Sequence, residues 1–145
     1  MPEQPKVWVY FYGSFINREV LARGGYRPEG VTVARLDGFD IVRRPLATLT
    51  PSDRACVYGI LARATHAELD RLYGQAWLRA YLPEAVVVAS REGGLYPALC
   101  YIAPGRTESP PFDHYLDHIL GPARELGFPD WYVRKLEGLR PVDAL

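Results

Sequence analysis

The segment Tyr10-Phe11-Tyr12-Gly13-Ser14-Phe15-Ile16-Asn17 sets a strand-like apolar run directly before a Gly-Ser corner and an asparagine suited to cap a helix. A corner of this kind presents main-chain N–H groups without partners. Such groups hold a carboxylate or a developing oxyanion without any cation, and glycine lets a ligand approach the backbone closely. The same spacing also fits an ordinary strand-to-helix turn. His114 and His118 lie four apart on an expected helix and so share a face. With only His66 besides, and Tyr115-Leu116-Asp117 between them, they read as a solvated polar face, and no metal site is expected. Cys56 and Cys100 sit in apolar runs without CxxC spacing, which reads as buried thiols. The motifs GxGxxG, GxxxxGK[ST], GxSxG and HExxH are absent, so the sequence calls for no cofactor and for none of those chemistries.

The elements that must position this corner follow from composition and periodicity. The 145 residues fit one domain spanning 1–145, and 48% hydrophobic content supplies a core. Lys+Arg and Asp+Glu number 17 each, and this balance argues against a nucleic-acid partner and for a small neutral or zwitterionic ligand. No run of about 18 apolar residues predicts a membrane span. Met1 to Lys6 lacks the basic and apolar regions of a signal peptide, so the cytoplasm is the expected location. The oligomeric state is left open.

Val7 to Tyr12 predicts a buried strand, and Asn17 caps a short helix that ends near Arg23 at Gly24-Gly25. Val31 to Val42 predicts two strand pieces broken at Asp37-Gly38, followed by an irregular stretch from Pro45 to Arg54 and a strand from Cys56 to Ala62. Thr65 with Glu68 has capping-box spacing for a helix running to Gly74. Glu84 to Arg91 and Leu95 to Ile102 predict an antiparallel hairpin about Glu92-Gly93-Gly94. Beyond the proline-rich segment Pro104 to Pro111, Phe112 to Leu126 and Pro129 to Leu136 predict helices that dock back. The expected class is α+β with mainly antiparallel strands.

Four places in this order resemble the gamma-glutamylcyclotransferase-like (AIG2-like) family. Tyr12-Gly13-Ser14 resembles its Tyr-Gly-Ser-Asn loop, with Phe15 in place of the asparagine. Ala34-Arg35-Leu36-Asp37-Gly38-Phe39 resembles its second strand. Val57-Tyr58-Gly59-Ile60-Leu61 with Leu69-Asp70-Arg71-Leu72-Tyr73-Gly74 resembles its Val-x-Gly and Leu-Asp-x-x-Glu-Gly segments, and Leu126-Gly127-Phe128-Pro129 with Tyr132 and Leu136 resembles its C-terminal helical segment. The resemblance implies a small, partly closed β-barrel with flanking helices and a cavity at one end. It also implies a cofactor-free reaction on a small-molecule substrate, a gamma-glutamyl amine or amino acid. The substrate's own α-amine attacks the γ-carbonyl, giving 5-oxoproline and a free amine, while a glutamate moves the proton. By the same resemblance Tyr12, Gly13, Ser14 and Phe15 form the substrate loop, and Tyr81, Tyr101 and Tyr115 line the pocket.

Tyr73 occupies the position of the family's catalytic glutamate. A phenol titrates near pH 10 against about 4.3 for glutamate, so it is no base at neutral pH without activation. Three alternatives stand. Asp70, one helical turn earlier, can serve as the base; Glu84, three residues after Tyr81, can enter the same cavity; or Tyr73 itself donates a hydrogen bond to the ligand. Arg79, two before Tyr81, is the candidate partner for a substrate carboxylate. The leading expectation is a cyclotransferase with an altered acid/base residue, and the alternative is a non-catalytic binding or regulatory module that keeps the pocket.

Overall fold

The computed structural model describes residues 4–142, so Met1 to Glu3 of the N-terminal reading lie outside it. Five strands close into a barrel: β1 (Lys6–Phe11), β2 (Thr32–Arg43), β3 (Ala47–Thr65), β4 (Leu82–Ser90) and β5 (Leu95–Ile102), in the order β1-β3-β2-β4-β5. Every pairing is antiparallel except the closure of β1 on β5, which runs parallel through Val9↔Leu99 and Tyr10↔Cys100. Four helices flank the barrel: α1 (Arg18–Arg23), α2 (His66–Tyr73), α3 (Asp117–Glu125) and α4 (Asp130–Glu137). The α+β class and the mainly antiparallel sheet are as the sequence predicts.

Two helix starts form as their caps dictate. The Asn17 side chain accepts from the amides of Glu19 and Val20, and Thr65 with Glu68 completes a reciprocal capping box. Leu69 and Leu72 are the buried residues of α2. On the β1 side, the Phe11 ring meets Phe15 and Tyr26 at 5.8 and 6.0 Å between centroids. At the far side, Tyr132 and Leu136 of α4 are fully buried, and Tyr132 packs edge-on against Tyr58. Burying such side chains contributes about 1.5–3 kcal/mol each.

The structure corrects three local expectations. Asp37-Gly38 does not break β2: Gly38 adopts φ +92° and the register with β3 shifts between Asp37 and Phe39, where Gly38 alone stands opposite the four β3 residues Ser52 to Ala55 in a wide bulge. Pro45 to Arg54 is not irregular either. After a turn through the cis Arg44–Pro45 peptide, Ala47 to Pro51 pairs residue for residue with Phe39 to Arg43. Pro51 is tolerated because it sits beside the bulge. Thr48 is buried there without penalty, since its hydroxyl donates to the Ala103 carbonyl and accepts from the Ala103 N–H, both at 2.9 Å.

The third correction concerns Phe112 to Asp117, where α3 begins only at Asp117. Residues before it form a strap tied to the start of β3. The Thr107 amide donates to the Arg44 carbonyl, its hydroxyl accepts from the Leu46 amide at 3.0 Å, and the Tyr115 hydroxyl accepts from the Ala47 amide at 2.8 Å. Pro110 and Pro111 lie between these ties and supply no N–H for a helical ladder.

Candidate functional site

The Gly-Ser corner stands at the end of β1. Gly13 has φ −103° and ψ −132°, outside the helical and extended regions, and Ser14 to Ile16 form one 3-10 turn before Asn17 caps α1. Among the described residues, the amides of Gly13, Ser14 and Phe15 donate to no acceptor, whereas those of Ile16 and Asn17 turn back to Gly13 and Ser14. A side chain at position 13 would put its Cβ 3.1 Å from that of Ala47 and 3.7 Å from the Tyr115 hydroxyl. Glycine is therefore what lets the corner close against β3.

A pocket opens on this corner. Twelve residues line it, eight of them aromatic: Phe11, Tyr12, Phe15, Tyr73, Trp77, Tyr81, Tyr101 and Tyr115. The other four are Gly13, Ser14, Ala47 and Leu78, so no lining residue is a carboxylate, an imidazole or a guanidinium. The interior is narrow, a cavity of about 30 Å³. Ordinary ligand sites run to several hundred Å³, while a single water needs about 10–15 Å³ by this measure. The enclosed part therefore takes an end-group of a few heavy atoms.

Three of the pocket phenols are engaged by main chain. Tyr12 donates to the Tyr101 carbonyl at 2.6 Å, Tyr81 donates to the Ala47 carbonyl, and Tyr115 receives the Ala47 amide. Ala47 thus holds two of the pocket tyrosines through its two main-chain groups. The phenols of Tyr73 and Tyr101 have no hydrogen-bond partner among the described residues. Their rings lie stacked, 3.7 Å between centroids and 11° between planes. Phe15 meets Tyr73 and Trp77 edge-on, and Trp77 in turn meets Phe112 of the strap.

Burial decides the protonation of these groups. Tyr73 and Tyr12 are pushed well above the ordinary phenol range, chiefly by desolvation, and Tyr81 is raised for the same reason. Tyr115 is raised by burial against the opposing influence of the Ala47 amide, Ser14 and Arg43. Tyr101 is raised by burial and then by Asp70. At neutral pH all five are neutral hydroxyls, which can donate hydrogen bonds and cannot take a proton as a base.

The residues expected from the sequence divide accordingly. Tyr12, Gly13, Ser14, Phe15, Tyr73, Tyr81, Tyr101 and Tyr115 come together on the lining. Asp70, Glu84 and Arg79 do not. Asp70 is exposed on α2, and Glu84 is exposed near the start of β4, opposite Cys100 in the ladder. Arg79 is spent on Glu108 at 3.0 Å, outside the lining. A one-turn spacing from Tyr73 thus left Asp70 on a solvent face, because Leu69 and Leu72 claim the buried side of a short helix. Missing from the sequence reading are Phe11, Ala47, Leu78 and the lining role of Trp77. Ala47 carries no local signal, since its part comes from pairing and from its main chain. Among the described residues no group of three or more His, Cys, Asp or Glu side chains is placed to hold a metal ion, and no helix is long and apolar enough to cross a membrane.

No family model matches the sequence, and no curated protein matches it. Solved structures do. One described as a gamma-glutamyl cyclotransferase is 26% identical, with 97% of this chain and 91% of that chain covered at a TM-score of 0.74. An uncharacterised protein from Homo sapiens is similar at 24% identity, 97% and 91% coverage and a TM-score of 0.72. An AIG2-like protein from Mus musculus is similar at 15% identity, 77% and 82% coverage and a TM-score of 0.54.

Proposed function

On the gamma-glutamylcyclotransferase-like fold that this chain has, we propose that the aromatic pocket is a binding site for the carboxylate or carboxamide end of a small glutamyl-type molecule, without the proton-transfer group of a cyclotransferase. One observation carries this reading: the lining offers unpartnered amides at Gly13, Ser14 and Phe15 and a free Tyr73 hydroxyl, and no carboxylate. Donors of this kind suit the oxygens of a carboxylate or amide.

Cyclisation needs more than donors. The α-nitrogen must lose a proton as it bonds to the γ-carbon, and the departing amide nitrogen must gain one as its bond to that carbon breaks. A positioned acid/base group contributes about 10²–10⁴-fold to such a transfer. Tyr73, neutral and desolvated, can donate a hydrogen bond but does not accept the ammonium proton.

A second reading, favoured by the 26% identity over nearly the whole chain with a gamma-glutamyl cyclotransferase, keeps the cyclisation and routes the proton through solvent or through a carboxylate that enters when substrate binds. Release of 5-oxoproline from a panel of gamma-glutamyl amines, measured on the native chain and on Tyr73→Glu, separates the two. The binding reading expects turnover only in Tyr73→Glu, together with ligand-induced thermal stabilisation of the native chain. Native turnover abolished by Asp70→Asn or Glu84→Gln overturns it in favour of the second reading.

A further inference from the structure

We infer that the groove at the start of β1 is a second ligand site, for a small organic phosphate, separate from the aromatic pocket. The two share no lining residue. The groove lies between the starts of β1 and β2, the loop that precedes β2 and the end of β3, and its volume is about 410 Å³, in the range of ordinary small-molecule sites.

Its floor is apolar, with Tyr26 and Leu61 buried and Val31 half-buried. Around it stand Lys6, Arg27 and Arg63 against Glu29 and Glu68, so cations outnumber acids. Both acids are already engaged. Glu29 holds Lys6 at 3.4 Å on a side chain that is 90% exposed. Glu68 accepts from the Thr65 amide at 2.9 Å in the capping box of α2, where the helix N-terminus favours its charge. Among the described residues, the side chains of Arg27 and Arg63 make no hydrogen bond and no ion pair.

The fold sets these two arginines on the one groove. The Tyr26 hydroxyl donates to the Arg63 carbonyl at 2.6 Å, which ties the loop bearing Arg27 to the strand bearing Arg63. The Arg63 guanidinium lies over Trp8, its Cζ 5.5 Å from the ring centre, and Tyr96 meets Trp8 at 61° with 5.2 Å between centroids. A guanidinium stacked in this way keeps its N–H edge for an acceptor and has less rotamer freedom to lose on binding.

Two such forks call for more than one carboxylate supplies. A phosphate monoester presents three acceptor oxygens and about −1.5 to −2 charges near pH 7, whereas a carboxylate has two oxygens and a single charge. The apolar floor takes the organic part. A nucleic-acid backbone matches poorly, because two arginines in a chain with 17 basic and 17 acidic residues neutralise few phosphates.

The test is calorimetric titration of the full chain with phenyl phosphate, benzoate and inorganic phosphate at one low ionic strength, repeated on Arg27→Gln and Arg63→Gln. Both arginines are exposed, so neither substitution disturbs the core. Phenyl phosphate should bind at least about 10-fold tighter than the other two anions, and each substitution should weaken it at least about 10-fold. Amide chemical-shift changes should fall on residues 26–32 and 61–63 and spare Gly13 to Phe15. Equal affinity for benzoate or for inorganic phosphate overturns the organic phosphate as ligand. No binding of phenyl phosphate, binding unchanged in both variants, or shifts at Gly13 to Phe15 in place of the groove overturns the site. The reading of the aromatic pocket stands or falls separately, on release of 5-oxoproline.

Discussion

Tyr73 lies face to face on Tyr101, their ring centroids 3.7 Å apart, so the residue at the end of α2 and the residue near the end of β5 form one wall of the pocket. The stack explains how a bulky aromatic is accommodated where a carboxylate is expected from the family pattern. Tyr101 provides a flat apolar partner against which the ring is buried. It also leaves both hydroxyl groups uncommitted.

Removing the Tyr73 hydroxyl should therefore separate binding from stability. Tyr73→Phe keeps the stack and breaks no hydrogen bond within the described residues, so its stability by chemical denaturation should change by less than about 0.5 kcal/mol. Affinity for a gamma-glutamyl amine should fall about 5- to 10-fold, the loss of one hydrogen bond. An unchanged affinity by calorimetry would show that Tyr73 only packs.

Tyr115→Phe should behave in the opposite way. The Tyr115 hydroxyl is the acceptor for the buried Ala47 amide, and its loss leaves that N–H without a partner. The expected cost is about 1–3 kcal/mol in urea or guanidinium unfolding. Faster hydrogen exchange at the Ala47 amide would trace that cost to this bond.

Asn17 has two tasks that substitution can divide. Its side-chain oxygen caps α1, and its nitrogen donates to the His118 carbonyl at 3.1 Å. Asn17→Ala removes both and should destabilise by about 1–2 kcal/mol. Asn17→Asp keeps the cap and loses the donor, so it should recover much of the stability. Recovery that is absent would assign the main role to the His118 contact.

Alkaline pH should destabilise the folded chain through its buried phenols. Tyr26 is pushed up to about 12 by burial and then by Glu68, and Tyr10, Tyr12 and Tyr73 are raised further by burial. A phenol raised in the folded state contributes stability that is complete below its unfolded value near pH 10 and is lost as pH rises toward the folded value. The stability measured by denaturation should thus be level through neutral pH and fall from about pH 10 upward, by about 1.4 kcal/mol per pH unit for each phenol held protonated. Tyrosinate absorbance rising gradually near pH 10, with no linked unfolding, would contradict these shifts.

Much of this arrangement is legible in the residues themselves. Asn17, Thr65 and Glu68 announce helix starts because a cap is a local hydrogen bond between near neighbours. The hairpin about Glu92-Gly93-Gly94 and the strand ending at Gly13-Ser14 are legible for the same reason. Asp37-Gly38 and Pro45 to Arg54 are misleading, because glycine and proline signal a break unless a paired strand absorbs them. β2 and β3 do so through a bulge, which depends on partners on two different strands.

The site divides along the same line. The sequence alone determines the Gly-Ser corner, the tyrosines and the presence of Tyr73 where a carboxylate is expected, since these are matters of residue identity and short spacing. Which neighbouring side chains share the cavity is a tertiary matter. Asp70 and Glu84 lie close to Tyr73 and Tyr81 in the chain and yet face solvent, while Ala47 joins the pocket from a strand far away in sequence. Helix and strand phase send near neighbours to opposite sides, and barrel closure brings distant main-chain groups together, so only the folded chain decides that the pocket is rich in donors and without a base.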